Sequence, residues 1–143
     1  AAVEEGIIPG GGVALLRLSL ELIKKKEGLD KDEQAGFDII RKSLEIPARQ
    51  IAFNAGVDGS IVVRTILDNK DFNWGYDAAA DEYKDMIKSG IIDPTKVAKQ
   101  ALMNAASISS TLLTTEAVIV DKPEKKSGGQ PMPGGGMGGM EDY

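Results

Sequence analysis

The sequence predicts a mainly α-helical fold, a helical bundle with one small β-hairpin and a C-terminal strand. Apolar residues recur every three to four residues in three long segments, which begin near residues 13, 33 and 95. Glycine and proline separate these segments. An aromatic and glycine-containing stretch, residues 72–76, is instead typical of a short strand or hairpin.

The first long helix is predicted over residues 13–23, directly after Pro9 and three glycines. Its apolar residues form two adjacent stripes, which indicates a helix buried on a wide face. Before it, residues 1–5 resemble the last turns of another helix, and Gly6 ends that helix. Because this start also lacks an initiator Met, we expect the sequence to be part of a longer protein.

A second helix is predicted over residues 33–55. Pro47 removes a backbone hydrogen bond, so we expect a kink or break near residues 43–45. A shorter helix is predicted over residues 60–67, with Ser60 as its N-cap.

Beyond the predicted hairpin, residues 81–88 predict a short helix, and residues 91–92 form an apolar connector. The longest helix is then predicted to start at Asp93 and Pro94. Asp is a favourable N-cap, and Pro suits the first helical position because its missing N–H has no partner there anyway.

The C-terminal strand is predicted at Ala117, Val118, Ile119 and Val120. It stands alone and needs a pairing partner, which another chain could supply. The composition then changes, since seven of the 17 glycines lie in residues 128–139 with methionines between them. No core can form from such residues, so residues 123–143 predict a flexible tail.

The composition excludes several kinds of chemistry. The 143 residues include no cysteine and no histidine, which excludes disulfides, thiol chemistry, histidine acid–base catalysis and the usual zinc sites. A net charge of −5 argues against a nucleic-acid-binding or anionic-membrane-binding surface. With no apolar run of ~20 residues and no basic signal-peptide start, a cytoplasmic protein is expected.

Three segments are candidate binding sites, and each has a purely structural alternative. Residues 9–12 could bring a glycine backbone close to a ligand ahead of a helix N-terminus, or could form only a tight turn. Residues 73–79 could border a flat ring, or form only an aromatic hairpin. Asp93 could accept from a pair of sugar hydroxyls, or serve only as a helix cap.

Two other function classes stay open on the residues alone. An enzyme of an unrelated class would need its own acid, base or nucleophile, and no clear set of these appears. A purely structural interaction segment is the other alternative, because a helical core explains most residues without any ligand.

Taken together, the segments follow a known order. AAVEEGIIPGGGVALL precedes RQIAFNAG, WGYDAAADEY, GIIDPTKV and a Gly-Met tail. Over essentially its whole length, the chain resembles the group I chaperonins, the 60 kDa chaperonins of the GroEL type. GGGVALL, GYDA and DPTKV at these separations, with the GGM tail, are jointly very specific.

The resemblance implies a helical bundle of the chaperonin equatorial-domain type. Residues 1–8 would end the intermediate domain, and residues 9–122 would form the C-terminal half of the equatorial ATP-binding domain. Residues 123–143 would be the flexible tail, which projects into the central cavity. The parent protein would be an ATP-dependent chaperonin that assists protein folding inside an enclosed double ring.

The resemblance also implies a site for ATP or ADP with Mg²⁺ in the complete protein. The residues that it places on the base-and-ribose side are Gly10, Gly11, Asp77, Ala78, Ala79, Ile91 and Asp93. Ile91 would form an apolar wall against adenine, and the Asp93 carboxylate would accept from ribose. Many relatives carry Asn at the position of Asp77, where an Asp side chain can accept hydrogen bonds but cannot donate them.

The resemblance places the reacting groups outside these 143 residues. In the family, a glycine–threonine loop binds the phosphates and an aspartate polarises the attacking water, and both precede Ala1. No catalytic residue and no metal ligand is therefore expected within this sequence. The segment alone is expected to be inactive as an ATPase.

The implied partners are further copies of the same chain, assembled as a tetradecamer of two stacked rings. The strand at residues 117–120 would pair with a neighbouring subunit, and Arg49 and Asp58 would make charged contacts between the rings. Exposed ion pairs contribute ~0–1 kcal/mol each, so such contacts would adjust assembly rather than cause it. The co-chaperonin and unfolded client proteins would bind an apical domain that this sequence does not contain.

Overall fold

The computed structural model describes residues 1–122. Six helices are present in this range: α1 Ala2–Glu5, α2 Val13–Lys24, α3 Lys31–Ser43, α4 Ile46–Asn54, α5 Gly59–Asp68 and α6 Thr95–Leu113. The four short strands are β1 Ile7–Pro9, β2 Trp74–Asp77, β3 Glu82–Asp85 and β4 Ile92–Pro94. The predicted mainly α-helical fold with a small hairpin is confirmed.

The strands form two separate antiparallel pairs. β2 and β3 are the two arms of the hairpin, with Tyr76 opposite Tyr83. β1 and β4 are far apart in sequence, and their register places Ile8 opposite Asp93. This second pair brings the start of the chain to the start of α6.

The hydrophobic core lies between α2, α4, α5 and the hairpin. Its buried members are Val13, Leu16, Ala48, Ala52, Val62, Val63, Ile66, Tyr76 and Met86. In contrast, α6 has no buried residue, and several of its large apolar side chains are exposed. The core therefore positions α2 and the hairpin, while α6 is held mainly at its N-terminal end.

The predicted break in the second helix is confirmed. α3 ends at Ser43 and α4 begins at Ile46, so Pro47 lies in the first turn of α4, where its missing N–H leaves no bond unmade. The start of α3 is fixed by a capping box: the Asp30 carboxylate accepts from the Glu33 backbone N–H at 2.9 Å, and the Glu33 side chain accepts from the Asp30 N–H at 3.1 Å.

The predicted helix at residues 81–88 is wrong, because this segment begins with β3. Asp81 has φ 53°, a left-handed conformation that turns the chain back toward β2. Tyr83 then stacks on Trp74, with ring centroids 5.0 Å apart and planes 15° from parallel. Cross-strand aromatic contact of this kind outweighs the helical propensity of the segment.

Two predicted helix caps are also wrong. The N-cap of α5 is Asp58 rather than Ser60, and its carboxylate accepts from the Ser60 N–H at 2.7 Å. The N-cap of α6 is Pro94, and no side chain caps that helix. Asp93 lies opposite Ile8 in β4, and the pairing of Pro94 with Ile7 extends this strand to the residue directly before the helix.

The C-terminal segment differs from its prediction. Residues 117–120 form no strand within the described part of the chain, and Val118, Ile119 and Val120 are exposed. A lone strand has no ladder to join, so a strand at this position requires a partner. The predicted tail at residues 123–143 lies outside the described residues.

Between residues 1 and 122, none of the helices combines the length and the apolar character that a membrane span requires. The same residues contain no cluster of three or more Asp and Glu side chains arranged to hold a metal ion.

Candidate functional site

The glycine loop before α2 is fastened to the segment that leads into β4. The buried Gly10 N–H donates to the Ile91 carbonyl at 2.9 Å. A side chain at Gly10 would place its Cβ 3.2 Å from the backbone of Ile91 and Ile92, closer than ordinary contact. Only glycine allows this close backbone approach without displacing the neighbouring segment.

The same loop reaches the hairpin through Met86. A Cβ on Gly11, which has φ 66°, would lie 2.9 Å from the Met86 methyl group. The Met86 carbonyl in turn accepts from the Ile91 N–H at 2.9 Å. Met86 is almost fully buried. Within the core it contacts the glycine loop, the hairpin and the segment that leads into β4, so it connects the three predicted site segments. The sequence analysis did not identify Met86, although the adjacent apolar residues Met86 and Ile87 stand out in the largely polar 81–88 stretch.

Asp93 and the glycine loop line one cavity of ≈ 880 Å³. Gly11 and Gly12 form part of its wall, and α3 and α6 flank it. The Asp93 residue itself is exposed. A carboxylate in an open cavity beside glycine backbone can accept from hydroxyl groups of a bound ligand.

Both carboxylate oxygens of Asp77 make contacts within the hairpin. Its Oδ1 accepts from the backbone N–H groups of Ala79 at 3.0 Å and Ala80 at 3.3 Å. Its Oδ2 lies 2.9 Å from the Lys84 ammonium. The hydrogen bond from Lys84, followed by those from the two backbone amides, lowers the pKa of Asp77 against the opposing effect of desolvation. Asp77 therefore organises the turn that carries Ala78 and Ala79.

A tyrosine–carboxylate hydrogen bond also closes this hairpin. The Tyr76 hydroxyl donates to Asp81 at 2.6 Å. This hydrogen bond, with burial, raises the pKa of Tyr76 to about 12, so the phenol stays a donor across the physiological range. Trp74, the single tryptophan of the sequence, stacks on the neighbouring Tyr83 and can report on this hairpin by fluorescence.

Arg17 holds the chain that enters the hairpin, and the sequence analysis missed it. Its guanidinium donates to the carbonyl oxygens of Asn69 at 2.7 Å and Trp74 at 3.3 Å, and also to that of Asp71. The residue is only 7% exposed, and desolvation lowers its pKa despite the nearby Asp71 charge. An arginine between Leu16 and Leu18 in an apolar helix was the available signal.

We expect Arg17→Met to loosen the hairpin, lowering its free energy of opening by about 3 kcal/mol, because three carbonyl groups lose a charged donor. Arg17→Lys should be intermediate, since one ammonium cannot span the same carbonyl groups. Hydrogen exchange of the β2 amides measures the opening. Equal exchange in all three proteins would show that the guanidinium contacts do not hold this segment.

Arg49 and Asp58, which were expected to make contacts between rings, lie close together and make contacts within this chain. Arg49 pairs with Glu45 at 2.7 Å and donates to the Ser60 hydroxyl at 2.7 Å. Asp58 caps α5, and both residues line an open cavity of ≈ 540 Å³. These contacts fix α4 against the start of α5, so any contact with another subunit would come from a surface that is already ordered.

A model of the TCP-1/cpn60 chaperonin family matches residues 1–123. The chain is also similar to a group III chaperonin whose crystal structure shows the open state, with 32% identity and a TM-score of 0.76 over 82% of this chain. A second similar structure is the open-state monomer of a group II chaperonin from Methanococcoides burtonii, with 25% identity and a TM-score of 0.71 over 76% of this chain. The matches span 25% and 28% of those two chains, about a quarter of their length.

Proposed function

Because the chain belongs to the TCP-1/cpn60 chaperonin family, we propose that it is the C-terminal part of an ATP-dependent group I chaperonin. The group I assignment rests on the motif order and the Gly-Met tail, since the two similar structures described above are of groups III and II. Residues 1–8 would end the intermediate domain, and residues 9–122 would form the C-terminal half of the equatorial domain. The protein would act in the cytoplasm.

Within that protein, this segment supplies the base-and-ribose side of the ATP site. The hydrogen bond from Gly10 to Ile91 carries the proposal, because it brings the glycine loop and the predicted adenine wall into direct contact. The cavity shared by Gly11 and Asp93 adds an acceptor for ribose hydroxyls, two residues along the chain from Ile91. An apolar surface with a few polar groups is what a nucleoside requires.

Photolabelling of the complete subunit with 8-azido-ATP tests this placement, because the reactive azide sits on the adenine. We expect labelled peptides from residues 77–93 and loss of labelling when ATP competes. Labelling confined to peptides outside this segment would show that adenine binds elsewhere.

The phosphate chemistry would belong to the preceding part of the subunit, so the 143-residue chain alone should not hydrolyse ATP. An assay of phosphate release on the purified chain, with Mg²⁺, measures this. Turnover that copurifies with the chain and disappears in Asp93→Ala would contradict the expectation, since it would require reacting groups within this sequence.

The exposed segment at residues 117–120 supports the proposed ring assembly. Three of its four residues are large, apolar and exposed, which suits a strand that pairs with a neighbouring subunit. Arg49 and Asp58 would contact the second ring. Co-chaperonin and client proteins would bind the apical domain of the complete protein.

A further inference from the structure

The turn between β2 and β3 depends on a carboxylate whose two oxygen atoms are both engaged. Oδ1 of Asp77 bonds the Ala79 and Ala80 amides, and Oδ2 pairs with Lys84. The Asp77 side chain is 17% exposed, so little of it faces solvent. A carboxylate in this state has little capacity left to accept a hydrogen bond from a ligand.

Lys84 reaches Asp77 diagonally across the hairpin. Its own cross-strand partner is Gly75, two positions before Asp77. The Gly75 backbone itself packs closely against Val13 and Met86. The ammonium lies 2.9 Å from Asp77 and 3.2 Å from Glu82, and its side chain is 28% exposed. Diagonal pairs on one face of a hairpin are within reach of long side chains.

We propose that Lys84 is a positioning residue for adenine, acting through Asp77. Lys84 neutralises the Asp77 carboxylate and holds it on the two backbone amides, so that the turn presents Ala78 and Ala79 to the base in a fixed conformation. The Asp77 side chain is then a support for the turn rather than a contact to the base. This inference rests on the proposed function, because it concerns the same ATP site.

The negative charge of Asp77 explains why its role in supporting the turn requires a lysine at position 84. A carboxylate that is mostly shielded from solvent is unfavourable without its cation, so without Lys84 it would turn toward solvent and release the Ala79 and Ala80 amides that fix the turn. An amide in place of the carboxylate keeps an oxygen acceptor for the two backbone N–H groups and carries no charge. In Asp77→Asn the lysine should therefore become dispensable.

The test compares Lys84→Met with Lys88→Met in the complete subunit. Lys88 is a matched control, because it pairs with a different carboxylate, Asp85, on the same segment. We expect Lys84→Met to weaken ATP binding about threefold, the scale of a partly exposed ion pair, and Lys88→Met to leave it unchanged. Lys84→Arg should retain affinity, and the Lys84→Met loss should vanish in the Asp77→Asn background.

The same variants are also tested with ribose 5-triphosphate, which is ATP without the adenine base. Its affinity should be the same in Lys84→Met as in the parent, because the proposed effect concerns adenine. Unchanged ATP affinity in Lys84→Met, or equal losses for ATP and the base-free ligand, would overturn the role of Lys84 while leaving the ATP site intact. A parent subunit that binds no ATP would overturn the proposed function itself.

Discussion

In the complete subunit, Asp93→Ala and Asp93→Asn should both weaken ATP binding at least about tenfold while the melting temperature stays near that of the parent. Hydrogen bonds to a charged acceptor contribute about 1.5–3 kcal/mol each, and ribose offers a pair of hydroxyls. The neutral amide of Asn accepts more weakly than a carboxylate, and Ala cannot accept at all. We therefore expect the larger loss in Asp93→Ala.

The expected stability follows from the position of Asp93 in the structure. If Asp93 capped α6, as the sequence suggests, its replacement by Ala would cost ~1 kcal/mol and Asn would cost little. The cap residue is Pro94, and no side chain performs the capping. Asp93 contributes its backbone to the pairing with Ile8, and both variants retain that backbone.

Titration calorimetry with ATP and with 2′,3′-dideoxy-ATP measures the contact. The variants should bind the dideoxy ligand as the parent does, since the hydroxyls that Asp93 would accept from are absent. Asp68→Asn makes the same change of charge at the exposed end of α5 and is the control for net charge. Equal losses for both ligands would show that Asp93 does not contact ribose.

The helices could be predicted from the sequence where periodicity and local chemistry agree. α2 is apolar along a wide face and begins after a glycine run, and the structure places it at the centre of the core. The break before Pro47 follows from a missing N–H, which is a property of that residue alone. Such features depend on neighbours a few positions away, so the chain does not have to fold before they can be recognised.

The hairpin could be predicted only in its first strand. Residues 81–88 contain Glu, Lys and Met, which are good helix formers, and nothing local shows that they will pair with β2. The outcome depends on Tyr83 meeting Trp74 and on Asp81 adopting a left-handed turn. Tertiary contacts of this kind override propensity.

In the candidate site, too, features of single residues could be predicted from the sequence, whereas contacts between distant segments could not. The glycines of residues 10–12 are visible in the sequence, but the bond from Gly10 to Ile91 joins positions that only the β1–β4 pair brings together. The occupation of Asp77 by Lys84 also depends on hairpin register. Chemistry at a single position can be inferred from the sequence, whereas the partner that modifies it is set by topology.

Gly12→Ala should lower the local free energy of unfolding by about 3 kcal/mol, because it combines a strained backbone with a close approach to α4. Gly12 has φ 78°, a conformation that costs alanine roughly 1 kcal/mol. A Cβ there would also lie 2.7 Å from the Ala48 backbone nitrogen and 3.0 Å from its Cα. Backbone inside α4 cannot rotate away as a side chain can, so overpacking adds about 1–3 kcal/mol.

Substitutions at two other glycines distinguish the cost of a positive φ from the cost of the close approach to α4. Gly28 also has a positive φ, 88°, but no atom lies within 4 Å of the position that a Cβ would take, so Gly28→Ala should cost only the conformational term of about 1 kcal/mol. Gly36 lies inside α3 with open space around it, and Gly36→Ala should stabilise that helix by about 0.5–1 kcal/mol. Hydrogen exchange of the helices adjoining each glycine measures the three effects. If Gly12→Ala and Gly28→Ala cost the same, the close approach of the glycine loop to α4 is not what fixes the loop beside the site.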